Sequence, residues 1–249
     1  MNCLFCEKEG SYSTVEHIVP ESLGNKRLVL TGIVCDGCQN YLGKEVEEYV
    51  LRRSPIGAWR VLAGVQTKHG KQPLFSFRQP NQDSGRFPDC HTANDDSVTF
   101  IGSDEGDCLV ELDEELFHKK ISEGTKTDFR LVLTPKMLHM MGRFLGKVGL
   151  EMLARDHDEV ARDSRYDRMR RFVRFGQPTG FLWPLFHGIT PGEQAAGPIE
   201  IAVFDTAGLI QGHDSYTVSS LRLGSEFWVV CLSDPYPHPV IRGSSQVLI

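Results

Sequence analysis

Two Cys-x-x-Cys pairs, Cys3 with Cys6 and Cys35 with Cys38, restrict this chain more than any other feature. Each pair turns two thiolates toward one point, and two pairs supply the four ligands of a tetrahedral Zn²⁺ site with Zn–S bonds of about 2.3 Å. Four thiolates leave such an ion no open coordination position, so its role is to hold the fold and not to do chemistry. The 28 residues between Cys6 and Cys35 exceed the ~15–20 of a plain four-cysteine ribbon. The insert must therefore hold a substructure of its own.

The insert reads as a hairpin. Tyr12 to Val19 and Leu28 to Val34 are strand-like runs, with Gly24 and Asn25 in the turn between them. The first run carries Glu16-His17-Ile18-Val19-Pro20, and Pro20, which has no N–H to give a ladder, marks its end. Beyond Cys38, Leu42, Val46, Tyr49 and Val50 recur at helical spacing among Glu and Lys, one apolar stripe on an amphipathic helix. The order strand, strand, helix, with an acidic residue and a His on the first strand and a carboxamide on the first turn of the helix, resembles the ββα-metal fold of the HNH endonucleases. Closest is the subgroup with zinc-binding Cys-x-x-Cys pairs.

That resemblance implies divalent-metal-dependent hydrolysis of phosphodiester bonds in nucleic acid, with DNA the first expectation. It assigns His17 as general base and Glu16 as a ligand of a catalytic Mg²⁺ or Mn²⁺, beside the structural Zn²⁺ on Cys3, Cys6, Cys35 and Cys38. The family's second ligand, a His or Asn, directly follows the last zinc cysteine; here Gln39 stands there and Asn40 comes next. Either amide is a candidate, Asn40 being the shorter. The family's middle Asn, which steadies the loop, aligns near Leu30 or Thr31, and neither is an amide. The chemistry is coherent: an imidazole takes a water's proton near neutral pH, and a cation neutralises charge on the phosphate and the leaving oxygen. Adjacent strand residues face opposite sides, so Glu16 and His17 share a site only at a strand end or a bulge.

Composition is that of an ordinary globular chain, with 40% hydrophobic and 24% charged residues over 249 positions, enough for one large domain or two modest ones. The chain opens on a cysteine pair with no charged-then-apolar leader, and no run approaches the ~18 apolar residues of a membrane span. Cys90, Cys108 and Cys231 are an odd, scattered remainder, which argues for a reducing cytoplasm and against a disulfide framework. A net charge of −6 opposes a broadly basic nucleic-acid face, so any phosphate contact must be local.

The local candidate lies between 162 and 174. Arg162, Arg165, Arg168, Arg170, Arg171 and Arg174 face only Asp163 and Asp167 there, on a helix expected from about Asp158 to Phe175. Arg168, Arg171 and Arg174 are candidate nucleic-acid contacts; the alternative is that the arginines pair with acidic neighbours. Upstream, Thr134-Pro135 reads as a helix start, followed by a stripe of Leu138, Met141, Leu145, Val148 and Met152. Gly142 and Gly146 are either close-approach points or merely tolerated. Residues 66–97 read as a linker or irregular β region, with Cys90-His91 at most half of a metal site, and Val98 to Ile101 with Cys108 to Leu112 as a hairpin. Phe181 to Phe186, Ile199 to Phe204, Tyr216 to Leu223 and Glu226 to Leu232 are strand-like, the last two joined by Gly224-Ser225.

The fold expected is α+β: a zinc-stapled ββα-metal, HNH-like module over 1–54, then a mixed α+β domain over 55–249. The function expected is a cytoplasmic endonuclease that meets nucleic acid and no membrane, as a homo-oligomer or with a regulatory partner. Two other classes stay open, a zinc-dependent binding module weakened in catalysis by the change at Gln39, and a nuclease effector gated by a sensing C-terminal domain.

Overall fold

Thr134 starts the element around which the rest packs. In the computed structural model, which describes residues 2–66, 97–102, 108–111, 128–130, 134–189, 199–206 and 215–235, its hydroxyl accepts from the Met137 N–H. Pro135 fills the first helical position, whose N–H has no intrahelical partner. The helix then runs over Pro135–Asp156 and is buried through most of its length, so it has neighbours on several sides.

Before it come β1 (Val15–His17), β2 (Val29–Thr31), α1 (Asp36–Leu42), a π-helical turn (Gly43–Glu47), α2 (Glu48–Arg53) and α3 (Pro55–Leu62). β1 and β2 form the expected antiparallel hairpin, pairing Glu16 with Leu30 and His17 with Val29, but both strands are shorter than the runs that foretold them. The loop between them holds a 3-10 turn at Glu21–Leu23 and cannot stay in a ladder. Leu42, Val46 and Val50 are fully buried along one face of the helical segment. Ser54 breaks it in an extended conformation, and its hydroxyl caps the Val50 carbonyl at 2.7 Å.

Three backbone strands follow, β3 (Ser97–Gly102), β4 (Cys108–Glu111) and β5 (Asp128–Arg130), in the order β4-β3-β5. The β3–β4 pair is the antiparallel hairpin read from the alternation. Cys90 and His91 lie outside the described residues. Labelled in chain order, the long helix is α4; α5 (Asp158–Ala161) and α6 (Asp167–Phe175) come next. The single helix expected over 158–175 is therefore corrected to two, separated by a 3-10 turn at Ser164–Tyr166. The cause is Asp163, whose carboxylate accepts from the Arg165 N–H at 2.9 Å and so starts a new element.

β6 (Leu185–Ile189), β7 (Ile199–Asp205), β8 (Thr217–Leu223) and β9 (Glu226–Cys231) complete an antiparallel sheet in the order β6-β9-β8-β7. Gly224, with φ +60°, supplies the left-handed conformation that the two-residue turn between β8 and β9 requires. The first strand of this sheet lies later than expected, at 185–189. The buried side chains form one contiguous cluster from Cys3 to Leu232.

Helix α4 meets its neighbours through glycine. A Cβ at Gly146 would sit 2.4 Å from the Met169 sulfur on α6, and one at Gly149 would sit 2.6 Å from Ser219 Cβ on β8. Gly142 likewise faces Phe172 and Trp183 at 3.2 and 3.3 Å. The Gly149→Ala variant is expected to lose about 1–3 kcal/mol of stability, because Ser219 Cβ is fixed to its strand and the helix must move. A thermal unfolding curve that superimposes on the wild type would show that the approach is not tight.

Candidate functional site

The cysteine pairs converge. The Leu4 N–H bonds to the Ile33 carbonyl at 3.0 Å, and the Cys35 N–H points at the Cys3 sulfur at 3.4 Å. The sulfurs of Cys3, Cys6, Cys35 and Cys38 all lie within 4.8 Å of one another, with Cys6 and Cys35 3.6 Å apart. A tetrahedral zinc with 2.3 Å bonds needs sulfurs about 3.8 Å apart, so the four residues fit the ion. Free of metal, the thiols share protons. The Cys38 hydrogen bond pulls Cys3 down to about 4 against the opposing effect of burial. Cys38 is raised in return, and burial raises Cys6.

Arg174 adds a second layer. Its Nε donates to Cys38 Sγ at 3.2 Å, and its guanidinium lies 4.0 Å above the Tyr41 ring. Arg143 of α4 donates to the Tyr41 hydroxyl at 2.9 Å and to the Val173 carbonyl. A cation beside a metal thiolate offsets its charge. Arg174 is thus engaged with the cluster, whereas Arg168 and Arg171 are exposed and line an open cleft of about 500 Å³ with Thr179, Phe181 and Trp183. Of the other arginines, Arg162 pairs with Asp158, Arg165 with Asp163 and Arg170 with Asp167.

On β1, Glu16 and His17 diverge as adjacent strand residues must. The Glu16 side chain is 12% exposed, and its Oε1 lies 2.7 Å from Nζ of Lys147, a lysine of α4 that is wholly buried. Lys147 also meets Glu47 Oε1 at 2.8 Å and Glu151 Oε2 at 2.9 Å, and donates to the His17 carbonyl at 3.1 Å. Burial alone would pull its ammonium down, but Glu151, Glu47 and Glu16 outweigh it and hold the proton well above the ordinary lysine value. Burial likewise pushes Glu151 well above the carboxylate range, in spite of Lys147.

His17 is 31% exposed, with Nε2 3.6 Å from Glu21 Oε1. Its Nδ1 is shielded from solvent and has no hydrogen-bond partner among the described residues. Gln39 is half-buried, with its amide nitrogen 3.5 Å from the Val34 carbonyl, and Asn40 is exposed. Among the described residues no hydrogen bond joins either amide to Glu16 or His17. The loop after β1 is tied by Asn25. Its Nδ2 donates to the Val19 and Leu28 carbonyls, and its Oδ1 accepts from the Arg27 and Leu28 N–H groups. Asn25, which the sequence shows only as an ordinary turn residue, is thus an amide that ties this loop.

Residues 3–54 match the family model described as HNH endonuclease. Over that segment the chain is similar to the HNH endonucleases. The match spans the thiol cluster, the hairpin and the helical segment through α2, and it supports a nuclease-type function. No curated protein and no solved structure matches the chain. Lys147 and Arg174 lie outside the HNH module, yet both reach into it.

Lys147 was missed in the sequence. The signal available was a charged residue every fourth position, Arg143, Lys147 and Glu151, on a helix otherwise apolar over the same stretch. Such a row lies on one face.

Zinc binding must displace the protons held on Cys6 and Cys38, so affinity falls as pH falls. Metal analysis is expected to find one zinc per chain at neutral pH and progressive loss on acidification toward pH ~5. The Cys35→Ser variant is expected to lose the ion and the cooperative unfolding of the module. Unchanged metal content in that variant would remove the cluster as a zinc site.

Proposed function

We propose that the chain is a metal-dependent HNH endonuclease acting on DNA. The observation that carries this reading is His17: it stands at the end of β1 in a segment of the HNH family, with one ring nitrogen beside a carboxylate and the other without a partner. The Glu21 carboxylate favours the tautomer with the proton on Nε2, leaving the Nδ1 lone pair to accept. Nδ1 is shielded in the unbound chain, so the imidazole must turn as substrate binds for Nδ1 to accept from the attacking water. As water oxygen bonds to phosphorus and the P–O3′ bond breaks, the water's proton passes to His17. The departing oxygen leaves as a hydroxyl after protonation from solvent.

For Glu16, with Asn40 or Gln39, to hold the Mg²⁺ or Mn²⁺ beside His17, its second oxygen would have to turn from the Lys147 side of β1 toward the His17 side. One carboxylate with amides and substrate phosphate oxygens suits a hard ion of this kind. The bound ion supplies charge neutralisation on the phosphate and the leaving oxygen. Arg168 and Arg171, exposed and one turn apart on α6, would meet the DNA backbone, and Arg174 would hold that helix to the module. The zinc would keep hairpin and helix in register. The reading places the site in the cytoplasm and leaves 55–249 to select the substrate.

Plasmid DNA with Mn²⁺ is expected to be cleaved by the wild type, and His17→Ala is expected to lose roughly 10²–10⁴-fold in rate. Equal cleavage by the variant would discard His17 as base. The double charge reversal Arg168→Glu with Arg171→Glu is expected to weaken DNA binding at low salt and to reduce the slope of log affinity against log salt by about 2. A slope identical to wild type would leave those arginines outside the interface.

A further inference from the structure

We infer that Lys147 is the positioning residue of the candidate catalytic strand, supplied to the HNH module by the second part of the chain. This rests on the nuclease reading for its functional consequence, though not for its geometry. Among the described residues Nζ has five oxygens around it. Three are carboxylate oxygens of Glu16, Glu47 and Glu151 at 2.7–2.9 Å. The other two are the carbonyls of His17 and Ile18 at 3.1 and 3.5 Å.

Three of those five contacts fall on consecutive residues of one chain segment, the side chain of Glu16 and the main chain of His17 and Ile18. A grip on the backbone at 17 and 18 sets where the strand ends and which way the His17 Cα–Cβ bond leaves it. With Glu16 drawn inward, alternation turns the imidazole outward, and the loop tied by Asn25 begins immediately beyond. The ring itself has no hydrogen bond among the described residues to hold it, since Glu21 stands at 3.6 Å. Its direction is therefore inherited from the backbone that Lys147 holds.

A buried ammonium must find oxygen acceptors, and two of those that Lys147 finds are carbonyls of the strand that bears the base. The ammonium provides three donors, and it lies where the β1 hairpin, the π-helical turn ending at Glu47 and α4 meet. The family segment at 3–54 contains no residue that makes these contacts. The site is incomplete without residue 147.

The test uses the full chain. Lys147→Met is combined with Glu151→Gln, so that fewer carboxylates are left without a cation, and Lys147→Met with Glu47→Gln is a second form. Zinc content and thermal unfolding establish that the variants are folded. Carbon-edited spectra of labelled histidine rings then report His17 directly, whether or not the protein cleaves DNA. The expected result in either folded variant is a shifted or broadened His17 ring signal with His139 and His187 unmoved. Glu151→Gln alone, which keeps all three contacts to the strand, should leave the His17 signal in place.

In single-turnover cleavage with Mn²⁺ the combined variants should lose at least ~10²-fold in rate, the cost of a misplaced catalytic group, with substrate affinity changed less than about threefold. An unmoved His17 signal in a folded, zinc-loaded variant overturns the inference. So does failure of both variants to fold, which would make Lys147 a folding residue only. Absence of cleavage in the wild type, with the His17 shift present, would instead remove the nuclease reading and leave the positioning intact.

Discussion

An ammonium with no solvent contact must be surrounded by oxygen, and the way Lys147 meets that requirement organises the molecule. Its charge is met by Glu16 from the first strand, Glu47 from the helical segment and Glu151 one turn along its own helix. Taking such charges out of water costs several kcal/mol per ion, and removing one partner from a buried set costs about 3–5 kcal/mol. A cluster of this kind is a weak source of net stability and a strong source of specificity, because any arrangement that separates the three elements leaves charge buried and unpaired. Burial pushes the Glu151 carboxyl well above the carboxylate range in spite of Lys147, the direction that eases the excess negative charge of three glutamates.

The thiol cluster solves a different problem. β1 and β2 are three residues each, too short to persist as an isolated hairpin. Four sulfurs within 4.8 Å could close the module around a metal ion, and Asn25 closes the loop by four hydrogen bonds. A metal on the cluster would fix the module internally, while Lys147 and Arg174 fix it to the helices of the second part. Arg174 connects the two systems, since it touches Cys38 on one side and belongs to α6 on the other. The chemistry proposed for His17 depends on both, one for the shape of the hairpin and one for the direction of its end.

What was legible in the chain was local. The Cys-x-x-Cys spacing, the Thr134-Pro135 start, the Gly224 turn and the alternation in β3, β4 and β7 to β9 all involve residues a few positions apart, whose geometry is set by the backbone between them. Of the two readings open for Gly142 and Gly146 of α4, close approach is the one the packing of α6 supports, whereas Gly149, which β8 approaches, gave no such signal. Local reading failed where a polar side chain chose a backbone group over the periodic pattern. Asp163 split a helix that its arginines and apolar residues made look continuous, and Asn25, to all appearance a turn residue, is the knot of the loop.

Sequence alone determined that four thiolates would meet, that a strand bearing Glu16 and His17 would lie between them, and that an HNH-like module would precede a mixed α+β region. These follow from short-range spacing and residue chemistry. Only the tertiary structure decided that Glu16 turns inward to a lysine 131 positions away, that Arg174 faces the Cys38 sulfur, and that Arg168 and Arg171 remain at the surface. The physical reason is that a charge's partner is set by what packing brings within a few ångströms, and no local period records it.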